Sequence, residues 1–249
     1  MKTSNITEIQ HLAKKLGLHH MSQSYFALKE RNMPNLEFLR IVLEQELNMR
    51  EQKSRKNKIA KAHLPSLKTF GEFDLSLQPS LNKWQVDELK KLEWLEDKYN
   101  IVLLGGAGVG KTHIAIALGH LALSRNHKVF FTTLEELITL LKTKDIVKAS
   151  ASRLNYLQQC ALVIIDEVGY LPIEKEISNS LFQLLNKLYR KTSVIITTSV
   201  EFGHWGDLLK DEMLASAILD RVTHRAQVIH LKGESYRLLD HKNIFTRKD

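Results

Sequence analysis

Apolar residues in the first third of the chain recur at helical steps: Ile6, Ile9, Leu12 and Leu16, then Leu36, Leu39, Leu43 and Leu47. Met33-Pro34-Asn35 interrupts the period between them, because proline disfavours helical dihedrals in the residue before it. The pattern predicts a small helical module whose apolar stripes close on each other or on a partner. Over Leu64 to Asn82 the period is lost, and Pro65, Gly71 and Pro79 mark a linker with local packing through Phe70 and Phe73. Helical spacing returns over Val86–Lys98, with Leu89, Leu92 and Leu95 on one side. From Asn100 the rhythm changes to short apolar runs, Ile101–Leu104, Val129–Thr132, Leu162–Ile165, Val194–Thr198 and Val228–Leu231, separated by helix-length stretches. Strands this apolar are buried on both faces, so the pattern predicts an α/β fold with a five-stranded parallel sheet covered by helices on both sides.

Composition narrows the class. With 43% hydrophobic residues, four Pro and eleven Gly in 249 residues, the chain can bury a core and is neither collagenous nor broadly disordered. Its single cysteine, Cys160, excludes an internal disulfide framework and a cysteine-rich zinc site, and its place entering an apolar run suits a small core residue. No apolar run reaches the length of a membrane span and the N-terminus lacks the apolar core of a signal peptide, so the expected place is cytoplasmic, with no membrane partner.

The net charge of +8 suits a polyanionic partner, or is ordinary solubilising charge. Its placement is uneven. Arg50 to Lys61 holds six basic residues and one acid, and Arg50, Lys53, Lys58 and Lys61 fall on one side of a helix with no apolar face opposite. Such a run is either a solvated face or a set of DNA phosphate contacts. Trp84, Trp94 and Trp205 do not interleave with basic residues, so bound DNA would be held through phosphates and shape and not by base stacking. His19-His20, His224 and His230 lack partners at ligand spacing, which favours solvated or packed histidines over a metal site.

The chemistry is carried by two motifs. Gly105-Gly106-Ala107-Gly108-Val109-Gly110-Lys111-Thr112 follows the first strand and opens a helix beginning at His113. Glycines let backbone N–H groups close on phosphates, and the helix N-terminus favours the same anion. Lys111 would reach the β- and γ-phosphates and the Thr112 hydroxyl would ligate Mg²⁺. The second motif is the apolar strand ending in Asp166 and Glu167. A parallel strand presents its C-terminal end to the ligand crevice, so Asp166 arrives beside the metal and Glu167 is placed to take a proton from an attacking water. These residues predict ATP and Mg²⁺ as cofactors and hydrolysis as the reaction. Nothing resembles an acceptor lid, which sets aside a small-molecule kinase.

The chain resembles the AAA+ ATPases of the IstB group, helper proteins of transposition and relatives of DnaC-type helicase loaders. The resemblance covers nearly the whole chain. It rests on Ile165-Asp166-Glu167-Val168-Gly169-Tyr170-Leu171-Pro172, Phe182-Gln183-Leu184-Leu185, Ile195-Ile196-Thr197-Thr198-Ser199, Phe202, Trp205, Ala217-Ile218-Leu219-Asp220-Arg221 with His224, and Gly233-Glu234-Ser235-Tyr236-Arg237-Leu238. It implies a P-loop NTPase domain at 81–249, a linker at 64–80 and an all-helical N-terminal domain at 1–63. Arg221 resembles the arginine finger that reaches a neighbour's γ-phosphate, which requires a homo-oligomer; read from the residues alone, it is a surface arginine beside Asp220. Ser199 stands where the family has the asparagine that senses the γ-phosphate, and its shorter side chain implies weaker hydrolysis with ATP binding intact. Arg237 is a candidate second sensor, although twelve residues after it are too few for the usual helical lid. The implied function is ATP-dependent assembly on double-stranded DNA, deformation of that DNA and recruitment of a transposase. A helicase loader acting on single strands, and a nucleotide-dependent binder with little turnover, are the alternatives.

Overall fold

The structure is a computed structural model that describes residues 2–18, 21, 34–169 and 173–239. His19-His20, Met33 and Tyr170-Leu171-Pro172 lie outside the described residues. The chain divides into two compact units, Met1–Lys58 and Ile59–Asp249.

In the first unit, α1 (Lys2–Lys15) ends where Gly17 adopts φ +69°, with Leu18 N–H bonded to Ala13 O and Gly17 N–H to Lys14 O. This left-handed cap satisfies carbonyls that the helix end leaves open. The second helix, α2, runs Asn35–Ala62. Burial in this unit falls on Ala13, Val42 and Glu46, while Leu12, Leu16, Leu36, Leu39, Leu43 and Leu47 remain exposed. Among the described residues, these six leucines of the two stripes are therefore not covered within the chain.

Segment 64–80 belongs to the second unit and is built from two 3₁₀ turns, Phe70–Glu72 and Leu75–Leu77. Next comes α3 (Lys83–Lys91), started by a reciprocal cap in which Asn82 Oδ1 accepts from Gln85 N–H and Gln85 Oε1 accepts from Asn82 N–H. The single helix expected over Val86–Lys98 breaks at Leu92, which takes φ +62°, and resumes as α4 (Glu93–Glu96). Left-handed backbone is costly for leucine, roughly 1–2 kcal/mol. Leu89, Leu92 and Leu95 are nevertheless 6%, 2% and 0% exposed, so the break accompanies burial of all three.

The remaining elements alternate: β1 (Asn100–Gly105), α5 (Lys111–Ser124), β2 (Val129–Thr133), α6 (Leu134–Thr143), α7 (Lys148–Leu157), β3 (Leu162–Val168), α8 (Lys175–Leu188), β4 (Ser193–Thr198), α9 (Trp205–Leu209), α10 (Glu212–Thr223), β5 (Ala226–Leu231) and α11 (Tyr236–Leu239). The five strands are parallel in the order β2-β3-β4-β1-β5, with β4 inserted between β1 and β3. Successive side chains feed opposite faces. Val102, Phe130, Val163, Ile165 and Ile196 join α6, α8 and α10 in one core, while Ile101, Leu103, Leu162, Ile164 and Ile195 join α3, α4 and α5 in the other. Both faces are thus covered, which explains the apolar runs of β1 to β4, whereas the edge strand β5 exposes Gln227 and His230. The C-terminal ends of β1, β3 and β4 lie side by side, and the candidate chemistry stands there.

Candidate nucleotide site

The phosphate loop joins β1 to α5, and Gly105, Gly108 and Gly110 adopt φ of +156°, +78° and +94°. All three glycines also permit close approach, and a Cβ at 105 would stand 2.3 Å from Leu231 O. A Cβ at 108 would stand 2.1 Å from Ser235 Oγ, and one at 110 would stand 2.5 Å from Phe73 Cε2. Gly106 and Ala107 are exposed at the mouth, whereas Val109 turns into the core at 5% exposure. Lys111 is 9% exposed and donates from Nζ to the carbonyls of Gly105 (2.8 Å) and Gly106 (2.6 Å). Burial draws its pKa below the ordinary lysine value; Asp166 opposes that shift and Arg237 adds to it.

Asp166 is 3% exposed and accepts on one oxygen, Oδ1, from Thr112 Oγ1 at 2.9 Å and from Thr197 Oγ1. Thr112 Oγ1 and the Asp166 carboxylate are hard oxygen donors in contact across the end of the sheet, a set that fits Mg²⁺. Glu167, at φ +59°, is exposed and lines the same cleft, and its N–H donates to Thr197 Oγ1 at 3.0 Å. Ser199 and Arg237 are exposed on the cleft wall.

One wall comes from segment 64–80. Pro65, Ser66, Lys68, Glu72 and Phe73 border a cavity of about 410 Å³ together with Lys111, Thr112, His113 and Tyr236. The segment is pinned to α5 where ring nitrogens of His113 and His120 donate to the carbonyls of Thr69 (2.8 Å) and Ser66 (2.9 Å). Phe73 packs against the rings of His113 and Tyr236, each 5.4 Å away between centroids. Tyr236 N–H donates to Gly108 O at 3.0 Å and its hydroxyl donates to Asp74 O. Thr197, Phe73, Tyr236 and Lys68 carry no site role in the sequence reading. The one signal in the sequence is Thr197-Thr198, polar residues closing an otherwise apolar strand.

Arg221 is placed elsewhere. Its carbonyl and that of Val222 face Asn100 Nδ2, at 3.5 and 2.9 Å. Asn100 opens β1, whereas the phosphate loop follows the other end of that strand, about 17 Å away at strand rise. The guanidinium is held by Asn186 Oδ1, Ala217 O and Asp220 Oδ2, and lies 4.8 Å from the Phe182 ring centre. Arg221 thus pairs Asp220 and stands away from its own chain's loop.

The four basic candidates are not alike. Arg50 bonds Glu46 Oε1 (3.0 Å) and Gly17 O (2.8 Å), which ties α2 to the end of α1. Lys61 Nζ sits 5.3 Å from the Tyr156 ring centre. Lys53 is exposed and Lys58 is half-buried. His224 Nδ1 lies 3.1 Å from the Tyr189 hydroxyl, and Cys160 is buried, its thiol pushed up to about 12 by desolvation. No helix among the described residues is long and apolar enough to cross a membrane.

The family model for IstB-like ATP-binding proteins matches residues 11–243. A putative ATP-binding protein of insertion sequence IS21 from Pseudomonas aeruginosa is 40% identical over 236 residues, covering 93% of this chain and 89% of the relative. The corresponding protein of insertion sequence IS232 from Bacillus thuringiensis subsp. berliner is 37% identical, covering 94% of each. Among solved structures, DnaI aligns with TM-score 0.56 at 17% identity over 68% of this chain and 92% of its own. The DnaC helicase loader aligns with TM-score 0.53 at 18% identity over 69% of this chain and 97% of its own. At these identities the structural likeness speaks to the fold alone.

Proposed function

Because the chain belongs to the family of IstB-like ATP-binding proteins, we propose that it is an ATP-hydrolysing helper of transposition, which assembles on duplex DNA, deforms it and recruits its transposase. One observation carries the reading. The phosphate loop, Asp166 and Glu167 converge in one cleft, while Arg221 is fixed at the other end of the sheet.

Lys111, resting on two loop carbonyls, exchanges them for the β- and γ-phosphate oxygens of ATP. Thr112 and Asp166 hold Mg²⁺, which when bound neutralises charge on those phosphates. Glu167 takes the proton of the attacking water at its carboxylate. Ser199 offers only a short hydroxyl toward the same cleft and supports slow turnover. Arg221 completes the site of an adjacent subunit, where such a group is worth about 10³–10⁵-fold in GTPase systems. ATP then stabilises the contact between subunits, and loss of the γ-phosphate releases it.

Residues 64–80 act as a wall of the ATP cleft. DNA is held by its phosphates, with Lys53, Lys58 and Lys61 contributing. Bending it costs on the order of 1–6 kcal/mol, which distributed contacts offset.

The test is binding to a labelled duplex of several turns, beside the matching single strand, with ATP, with ADP and without nucleotide. Cooperative duplex binding that requires ATP is expected. Preference for the single strand would replace this reading by a helicase loader, and no DNA binding in any state would leave only the nucleotide site.

A further inference from the structure

Asp166 and Glu167 are consecutive in a β-strand, and consecutive side chains of a strand point to opposite faces. Yet Asp166 bonds Thr112 of the phosphate loop while Glu167 lines the cleft around that loop. The register explains how. Along β3 and β4, Ile165 pairs with Ile196 and Val168 pairs with Thr198, so two residues, Asp166 and Glu167, stand opposite one, Thr197. This is a β-bulge, and the left-handed φ of +59° at Glu167 belongs to it. A bulge turns a side chain to a new direction and leaves a ladder N–H without its carbonyl.

Thr197 meets both consequences. Its hydroxyl oxygen accepts the Glu167 N–H at 3.0 Å, and its hydroxyl proton goes to Asp166 Oδ1. The residue is 1% exposed and paired on its other side with Leu103 of β1, so its rotamer is fixed by the centre of the sheet. A valine there would fill the same space and satisfy neither acid.

We propose that Thr197 is a positioning residue for ATP hydrolysis, whose one hydroxyl holds the bulge and thereby aims the metal-binding Asp166 and the base Glu167 at the same phosphate. The inference rests on the ATPase reading above. It differs from the sensor role that the resemblance gives to Ser199, because Thr197 acts through the two acids and not on the nucleotide.

Three full-length chains decide it: the wild type, Thr197→Val and Thr197→Ser, each first checked for fold by circular dichroism and melting. Binding of a fluorescent, non-hydrolysable ATP analogue is titrated with Mg²⁺, and steady-state hydrolysis is measured in excess Mg²⁺. Thr197→Val is expected to raise the Mg²⁺ midpoint and lower kcat by about tenfold or more each, with KM in excess Mg²⁺ within about twofold, as losses of groups supporting a metal ligand do. Thr197→Ser, which keeps the hydroxyl, returns both quantities to within about twofold of wild type. A Val variant with wild-type midpoint and kcat overturns the inference, and so does a Ser variant as impaired as Val. If Val does not fold, Thr197→Cys replaces it, since a thiol is a weak donor in nearly the same space; wild-type values there are equally fatal. A wild-type chain without Mg²⁺-dependent binding of the analogue overturns the ATPase reading and this inference together.

Discussion

The Phe73 ring lies against Gly110 of the phosphate loop, so close that a methyl group at 110 would stand 2.5 Å from Phe73 Cε2. A residue from the segment ahead of the sheet thus presses on the loop that would hold phosphate, and it also touches His113 and Tyr236. The segment and the loop are one packed object.

Phe73→Ala should therefore weaken fold and ATP binding together. With Phe73 8% exposed, truncation should cost about 3 kcal/mol, the low end for a buried phenylalanine. Urea denaturation reads the stability, and titration with a fluorescent ATP analogue reads the affinity. Unchanged affinity in a destabilised protein would mean the aromatic contact serves packing alone.

Lys111→Ala removes the ammonium that now bridges the Gly105 and Gly106 carbonyls. Loss of ATP-dependent assembly on DNA is expected by light scattering or analytical ultracentrifugation. Assembly that persists would sink the nucleotide switch.

Glu167 is exposed in the cleft, whereas the Asp166 side chain is bonded to Thr112. Glu167→Gln should accordingly keep ATP and Mg²⁺ binding, reduce hydrolysis by about 10²-fold or more, and trap the assembly on DNA. Nuclease protection over time follows the trapping; normal turnover would remove Glu167 as the base.

Arg221→Ala should leave ATP binding by the single subunit intact, because its guanidinium sits with Asn186, Asp220 and Phe182 away from the loop. Cooperative hydrolysis should fall. Mixing Arg221→Ala with Lys111→Ala subunits gives the sharper result: the former supplies an intact loop and the latter an intact finger, so activity should partly return. No recovery in the mixture would argue against action between subunits.

Of the basic run, Lys53, Lys58 and Lys61 are the ones to neutralise for DNA binding. Changing all three to Gln should reduce the slope of log K against log salt by about 2–3, close to 0.9 per phosphate contact. Arg50→Gln should instead loosen the helical unit, since Arg50 bonds Glu46 and Gly17. An unchanged slope would return the lysines to a solvated face.

The sheet was legible because burial on both faces favours apolar side chains along β1 to β4, and all five expected runs fall within strands, although the edge strand β5 exposes Gln227 and His230. The phosphate loop was legible for a related reason: its chemistry is done by backbone at fixed spacing, so the glycines must appear in order. The break at Leu92 was hidden, because leucine has helical propensity and only burial of Leu89, Leu92 and Leu95 together selects the left-handed turn. The exposed leucines of the first unit were equally hidden, since periodicity marks a stripe without saying what covers it.

By itself the sequence determined the five strands, the parallel α/β class and the spacing of Lys111, Thr112, Asp166 and Glu167, all of which follow from local periodicity or contiguous spacing. Only the tertiary structure decided that residues 65–73 wall the cleft, that Thr197 meets the two acids 31 and 30 residues away, and that Arg221 stands at the far end of the sheet. The physical reason is that these relations depend on strand register and on which chain ends the sheet brings together. Hydrogen bonds across a bulge and aromatic contacts across some 160 residues leave no period in the chain, because they are fixed by the packing of the whole domain and not by any one segment.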